Sequence, residues 1–162
     1  LVFTGKMDYR PNIDAALYRD SNDKLYLFKG SKYVRMTGSA MDEGYPKPIA
    51  GNWSGLPVSF QQGIDAAFLR ESNGQIYMLK GDQYVRLTET TVDPGYPKPI
   101  AGNWPGLPSA FNDGIDAALM RWDTHQIYFF RNRQYVRYTN VGNGIDPGYP
   151  KWIDKNWMPF PT

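Results

Sequence analysis

Three sets of residues recur along this chain with chemistry to offer: Trp53, Trp104 and Trp157; Tyr45, Tyr96 and Tyr149; and Arg35, Arg86 and Arg137. An aromatic face packs against the apolar side of a pyranose ring, and planar polar groups such as a guanidinium or carboxamide reach its hydroxyls. With Asn52, Asn103 and Asn156 beside the tryptophans, these residues make a carbohydrate-binding kit present in three copies. Linking weak equivalent sites raises avidity by roughly 10² to 10⁴. The same aromatics are also what stacked sheets need for packing. Each arginine, if buried, has a repeating partner in Asp42, Asp93 or Asp146. A fourth set, Asp14, Asp65 and Asp116, opens each copy. On strands gathered round one axis these residues converge, and their carboxylates can equally bond nearby backbone amides and pin the strand starts.

Catalytic chemistry is poorly served. The one histidine, His125, falls where the other copies carry Asp23 and Gly74, in a position that reads as a surface turn. No serine has a histidine and carboxylate arranged around it in the pattern of the repeats, and no glycine-rich phosphate loop precedes a helix. The chain has no cysteine, so neither a disulfide, a thiolate metal site nor a cysteine nucleophile is available. We expect no enzymatic activity.

The elements that must position these residues follow from a repeat. Ile-Asp-Ala-Ala occurs at Ile13, Ile64 and Ile115, a period of 51 residues both times (64 minus 13, 115 minus 64). Tyr-Val-Arg recurs at Tyr33, Tyr84 and Tyr135, and Gly-Tyr-Pro-Lys at Gly44, Gly95 and Gly148; the third copy gains two residues before Asp146. Within a copy, the short, small-sided run from Ile64 to Leu69 suits an innermost strand, where paired alanines let backbones approach closely. Gln75 to Leu79 and Gln83 to Leu87 flank Lys80-Gly81-Asp82, which reads as a hairpin. Asp93-Pro94-Gly95-Tyr96-Pro97 then forces a turn, and a short helix or edge strand is expected around Ile100 to Trp104.

Bulk properties agree with an all-β chain. Its 162 residues are 41% hydrophobic and 15% aromatic, enough for one core, with glycine and proline frequent. Eighteen basic against sixteen acidic residues give a net charge of +2 with no like-charge run, which argues against nucleic acid as a partner. No apolar stretch approaches the roughly 20 residues of a membrane-spanning helix, so no membrane insertion is expected. Leu1 in place of an initiator methionine implies trimming, and Asn52-Trp53-Ser54 is a glycosylation acceptor if the chain is secreted.

From Ile13 to Trp157 the sequence resembles the hemopexin-like repeat: an Asp-Ala-Ala strand, an aromatic hairpin with a Lys-Gly turn, Tyr-Val-Arg, Asp-Pro-Gly-Tyr-Pro-Lys and a tryptophan exit. The resemblance implies one small β-propeller over residues 1–162, with repeats at 13–63, 64–114 and 115–162. Four blades close the ring in that family, whereas three full copies stand here, and the cysteines that commonly tie its first and last blades are missing. The fourth blade is therefore absent, abbreviated within residues 1–12, where Phe3-Thr4-Gly5-Lys6 loosely matches the hairpin turn, or supplied by another chain. An exposed sheet edge invites association, so a homo-oligomer is expected. The resemblance also implies an axial channel in which backbone carbonyls hold calcium or another ion. By position these belong to Asp14, Asp65 and Asp116 in one layer and Ala16, Ala67 and Ala118 in the next. Heme, bound by some members, is disfavoured here by the single histidine. The leading expectation is a secreted, multivalent carbohydrate-binding protein; the alternative is a protein-interaction, storage, or heme- or polyamine-binding module.

Overall fold

The computed structural model describes residues 12–157. The candidate partial blade at residues 1–12 falls outside them except for Asn12.

Three antiparallel sheets follow one another along the chain. The first orders β1 (Ala15–Arg19), β2 (Lys24–Lys29), β3 (Lys32–Thr37) and β4 (Ala40–Met41), with β5 (Lys47–Pro48) also paired to β3. After a one-turn helix α1 (Val58–Gln61), the second sheet repeats the plan with β6 (Ala66–Arg70), β7 (Gln75–Lys80) and β8 (Gln83–Thr88), and β9 (Thr91–Val92) and β10 (Lys98–Pro99) both join β8. Helix α2 (Ser109–Asn112) leads to β11 (Ala117–Arg121), β12 (Gln126–Arg131), β13 (Gln134–Tyr138) and β14 (Lys151–Trp152), followed by α3 (Ile153–Asn156). Each sheet is a blade, and β1 and β11 both pack beside β6 as the innermost strands.

Short strands joined by two-residue turns set this geometry. At the β2–β3, β7–β8 and β12–β13 turns the backbone takes a positive φ at Gly30, Gly81 and Asn132. Glycine pays no steric penalty there, and asparagine is among the few side chains that tolerate it. The Tyr45–Pro46, Tyr96–Pro97 and Tyr149–Pro150 peptide bonds are cis. The segment from Ile100 to Trp104 is a turn, with strand β10 just before it and helix α2 after it. Gly102 supplies a positive φ and the Asn103 carboxamide donates to the Pro99 carbonyl at 2.8 Å, which closes the turn in place of a helix or strand.

Blades stack through two apolar clusters. One joins Tyr26, Phe28, Trp53 and Phe60 to Ala67, Leu69, Ile76, Met78, Val85 and Leu87. The other joins Phe68, Leu79, Ile100 and Trp104 to Met120, Ile127, Phe129 and Tyr138. Alternation along the pleat sends one face of β6 into each cluster, which is why its residues are buried on both sides. The first and third blades each have one covered face. They meet directly at one end of the axis, where Tyr18 and Trp122 lie edge to face at 6.1 Å, both 42% exposed.

Candidate functional site

Around the axis the structure brings the Asp and Ala sets together. Asp14, Asp65 and Asp116 line one opening, a cleft of about 470 Å³ shared with Lys80 and Arg131. Ala16, Ala67 and Ala118 line a narrower space of about 160 Å³ toward the Tyr18–Trp122 end. The carboxylates already have work. Asp14, Asp65 and Asp116 accept the amides of Gly30, Gly81 and Asn132 at 2.7, 2.8 and 2.6 Å, tying each inner strand to its own hairpin turn. Lys80 and Arg131 neutralise the second and third at 3.4 and 3.1 Å. Among the described residues, no cluster of three or more His, Cys, Asp or Glu side chains is placed to hold a metal. Among the described residues, the inner edges of β1, β6 and β11 pair with no other strand, so backbone carbonyls are the hard-cation donors available near the axis.

The tryptophans sit elsewhere. Trp53 and Trp104 are 2% and 3% exposed, inside the two apolar clusters, and neither presents a face to solvent on which a sugar could stack. Trp104 is boxed by Tyr77, Tyr84 and Phe129 at ring distances of 5.8, 5.6 and 4.8 Å. Trp157 holds the same place in the third blade and is half-buried. Among the described residues, the buried indole N–H groups of Trp53 and Trp104 have no oxygen or nitrogen acceptor, leaving ring faces as their electron-rich neighbours.

The tyrosine and arginine sets do come together, three times, on the outer part of each blade. The Arg86 Nε donates to Asp93 at 2.6 Å, its guanidinium lies 5.1 Å from the Tyr96 ring centre, and the Lys98 ammonium lies 4.7 Å from the same centre. Arg35, Tyr45, Lys47 and Asp42 repeat the arrangement, as do Arg137, Tyr149, Lys151 and Asp146. Each tyrosine is thus held by two cations, one of which is held in turn by a carboxylate. Hydrogen bonds from Thr37 and then Arg35 pull the Asp42 carboxyl below the usual carboxylate range. For Asp93 and Asp146, burial pushes upward, but the hydrogen bonds from Thr88 and Arg86, and from Thr139 and Arg137, outweigh it and the net shift is down. The arginine side chains remain 36%, 35% and 32% exposed, so they are both structural partners and accessible donors.

The lysines of these stacks escaped the sequence reading, although Lys47, Lys98 and Lys151 recur in Gly-Tyr-Pro-Lys as regularly as the tyrosines. His125 sits exposed in the β11–β12 turn with positive φ, against the carboxylate of Glu71.

Comparison with known proteins agrees with this architecture. The chain matches the family described as Hemopexin three times, over residues 13–58, 64–109 and 115–161. It is 34% identical to human vitronectin over 72% of this chain and 24% of that protein, and it spans about a quarter of the length of the curated relatives it matches. Among solved structures it is similar to LS24, a seed albumin from Lathyrus sativus, with a TM-score of 0.74 and 25% identity over 90% of this chain and 70% of that one. It is also similar to a plant albumin from Cicer arietinum showing hemagglutination, with a TM-score of 0.72 and 26% identity over 89% and 69% of the two chains.

Proposed function

Because this chain belongs to the hemopexin repeat family, we propose that it is a non-enzymatic binding propeller whose ligand is carbohydrate, held at equivalent sites on each repeat. The observation that carries this reading is the threefold Arg–Tyr–Lys stack. Each guanidinium spends its Nε on a carboxylate and stays about one-third exposed, leaving planar N–H donors for a ligand's hydroxyls. The sites are therefore Arg35 with Tyr45, Arg86 with Tyr96, and Arg137 with Tyr149, and the buried tryptophans support them from within the blade. Linked copies raise avidity without tight single sites. The hemagglutination printed for the Cicer arietinum albumin is an activity of the kind such multivalency gives, and it supports the reading by similarity.

Three further parts belong to the proposal. The chain is secreted, in keeping with relatives named vitronectin and matrix metalloproteinase. The open faces of the first and third blades are covered by association, through a second copy or a fourth blade. The axial channel takes calcium or another ion on the carbonyls of Asp14, Asp65, Asp116, Ala16, Ala67 and Ala118, which would add stability by mass action.

A glycan array probed with the purified protein, with its mass recorded by light scattering, tests the reading. Sugar-competable binding that falls when Arg86 is replaced by Met is the expected result. A blank array with folded protein overturns it and leaves the storage and protein-interaction roles of a seed-albumin-like propeller.

A further inference from the structure

The three repeats dispose differently of one arginine. At the end of the inner strand each carries an arginine, Arg19, Arg70 or Arg121. Arg19 is buried and reaches across the seam between the first two blades to the carboxylate of Glu89, with Tyr26 and Ser21 as further partners. Arg121 finds Asp123 within its own turn, at 2.5 and 3.0 Å. Arg70 is half-buried, and among the described residues its guanidinium has no hydrogen-bonded, ionic or aromatic partner. At the repeat position of Glu89 the second seam has Asn140, which lines the same cleft as Arg70 and whose carboxamide oxygen accepts the Gly142 amide at 3.0 Å. That hydrogen bond caps a helical turn over Val141–Asn143, in the stretch where the third repeat has its two extra residues. Glu71 does not substitute, since its carboxylate faces His125.

What remains is a cleft of about 560 Å³ between the second and third blades. Its floor is the buried side chains of Met120, Ile127 and Tyr138, and its walls bring Arg70, Ser72 and Asn140 together with the Glu71–His125 pair, whose carboxylate is held by the imidazole. A cation withdrawn from water without a counter-charge is costly, and a concave site with an apolar floor and a few convergent polar groups is the form ligand sites take. We infer that this seam binds a small organic carboxylate, whose carboxylate group occupies on Arg70 the place that Glu89 occupies on Arg19, with its body over Met120 and Ile127. This site lies at the opposite end of the strands from the hairpin-turn aspartates, occurs once among the described residues, and stands independently of the carbohydrate reading.

The test is a titration of the ¹⁵N-labelled chain, followed by amide shifts at Ser72, Asn140 and Gly142, with glutarate and with glucuronate as separate probes and with chloride as the inorganic control. Saturable shifts with at least one carboxylate and not with chloride are expected. Asn140→Glu supplies the missing internal partner, and Arg70→Gln removes the cation. Each should weaken binding by roughly tenfold to a hundredfold, the range for losing a charge-assisted hydrogen bond. Glu89→Gln should open the first seam, adding a second set of saturable shifts around Thr90. Glutarate alone would identify a simple acid, and glucuronate alone an acidic sugar. Absent shifts, equal shifts with chloride, or undiminished binding by folded Asn140→Glu protein would overturn the inference; that variant adds a contact already present in the first seam, so it decides the matter even if Arg70→Gln fails to fold.

Discussion

The second and third blades carry nearly the same sequence and have different fates. In the second, Phe68 is 3% exposed, and Ile100 and Trp104 are fully enclosed, because the third blade covers them. At the matching places of the third, Leu119 is 36% exposed, and Ile153 and Trp157 are half-buried. Residue type and pleat decide which way a side chain points; the neighbour decides whether pointing there removes it from water. The sharpest way to break this comparison is to truncate the two tryptophans. Trp104→Ala should cost about 3–5 kcal/mol, the usual range for a buried aromatic, and Trp157→Ala clearly less, read from denaturant midpoints. Equal losses would mean that the outer face of the third blade is covered in solution.

The outer stacks should behave the opposite way, because they lie within each blade and do not depend on what covers it. Arg35→Met, Arg86→Met and Arg137→Met each remove a charge-assisted hydrogen bond and a cation–π contact. Losses of about 1–2 kcal/mol, alike in all three blades, are expected in the same denaturation experiment, given that the arginines are one-third exposed. The carboxylates give the pH dependence. Asp42, Asp93 and Asp146 have folded values below the usual carboxylate range, so the unfolded chain binds more protons in acid. Their stabilisation is fully present above the unfolded value of about 3.9 and is lost as pH falls below it toward the folded values. The thermal midpoint should fall in that window, and more shallowly when Asp93 is replaced by Asn.

Much of this was legible in the residues. The 51-residue period, the hairpins, the inward Asp-Ala-Ala strands and the Arg–Asp pairing follow from spacing and residue type, because a repeated pattern reports a repeated local geometry. Burial was not legible in the same way: Trp53, Trp104 and Trp157 look alike as sugar platforms, yet two of them fill the space between blades. The lysines over Tyr45, Tyr96 and Tyr149 depend on how the Tyr-Pro-Lys segment folds back on the sheet. The unpaired Arg70 depends on a residue in the following repeat, Asn140, some seventy positions away, which only the stacking of blades makes a neighbour.

The smallest effect sharpens the comparison most. Leu119→Ser on the open face should change stability by no more than about 0.5 kcal/mol, as exposed substitutions do, whereas Phe68→Ser at the same place in the second blade should cost several times that. The two variants differ further if the open faces meet in solution. Leu119 and Tyr18 would then lie in the contact, and the molar mass by light scattering should drop toward that of one chain in Leu119→Ser or Tyr18→Ser protein without loss of fold. A mass that is already that of one chain, and that neither variant changes, rules out a second copy as what covers the open faces. A mass that falls only when Phe68 is replaced would instead mean that association requires the intact blade stack and does not use the open face.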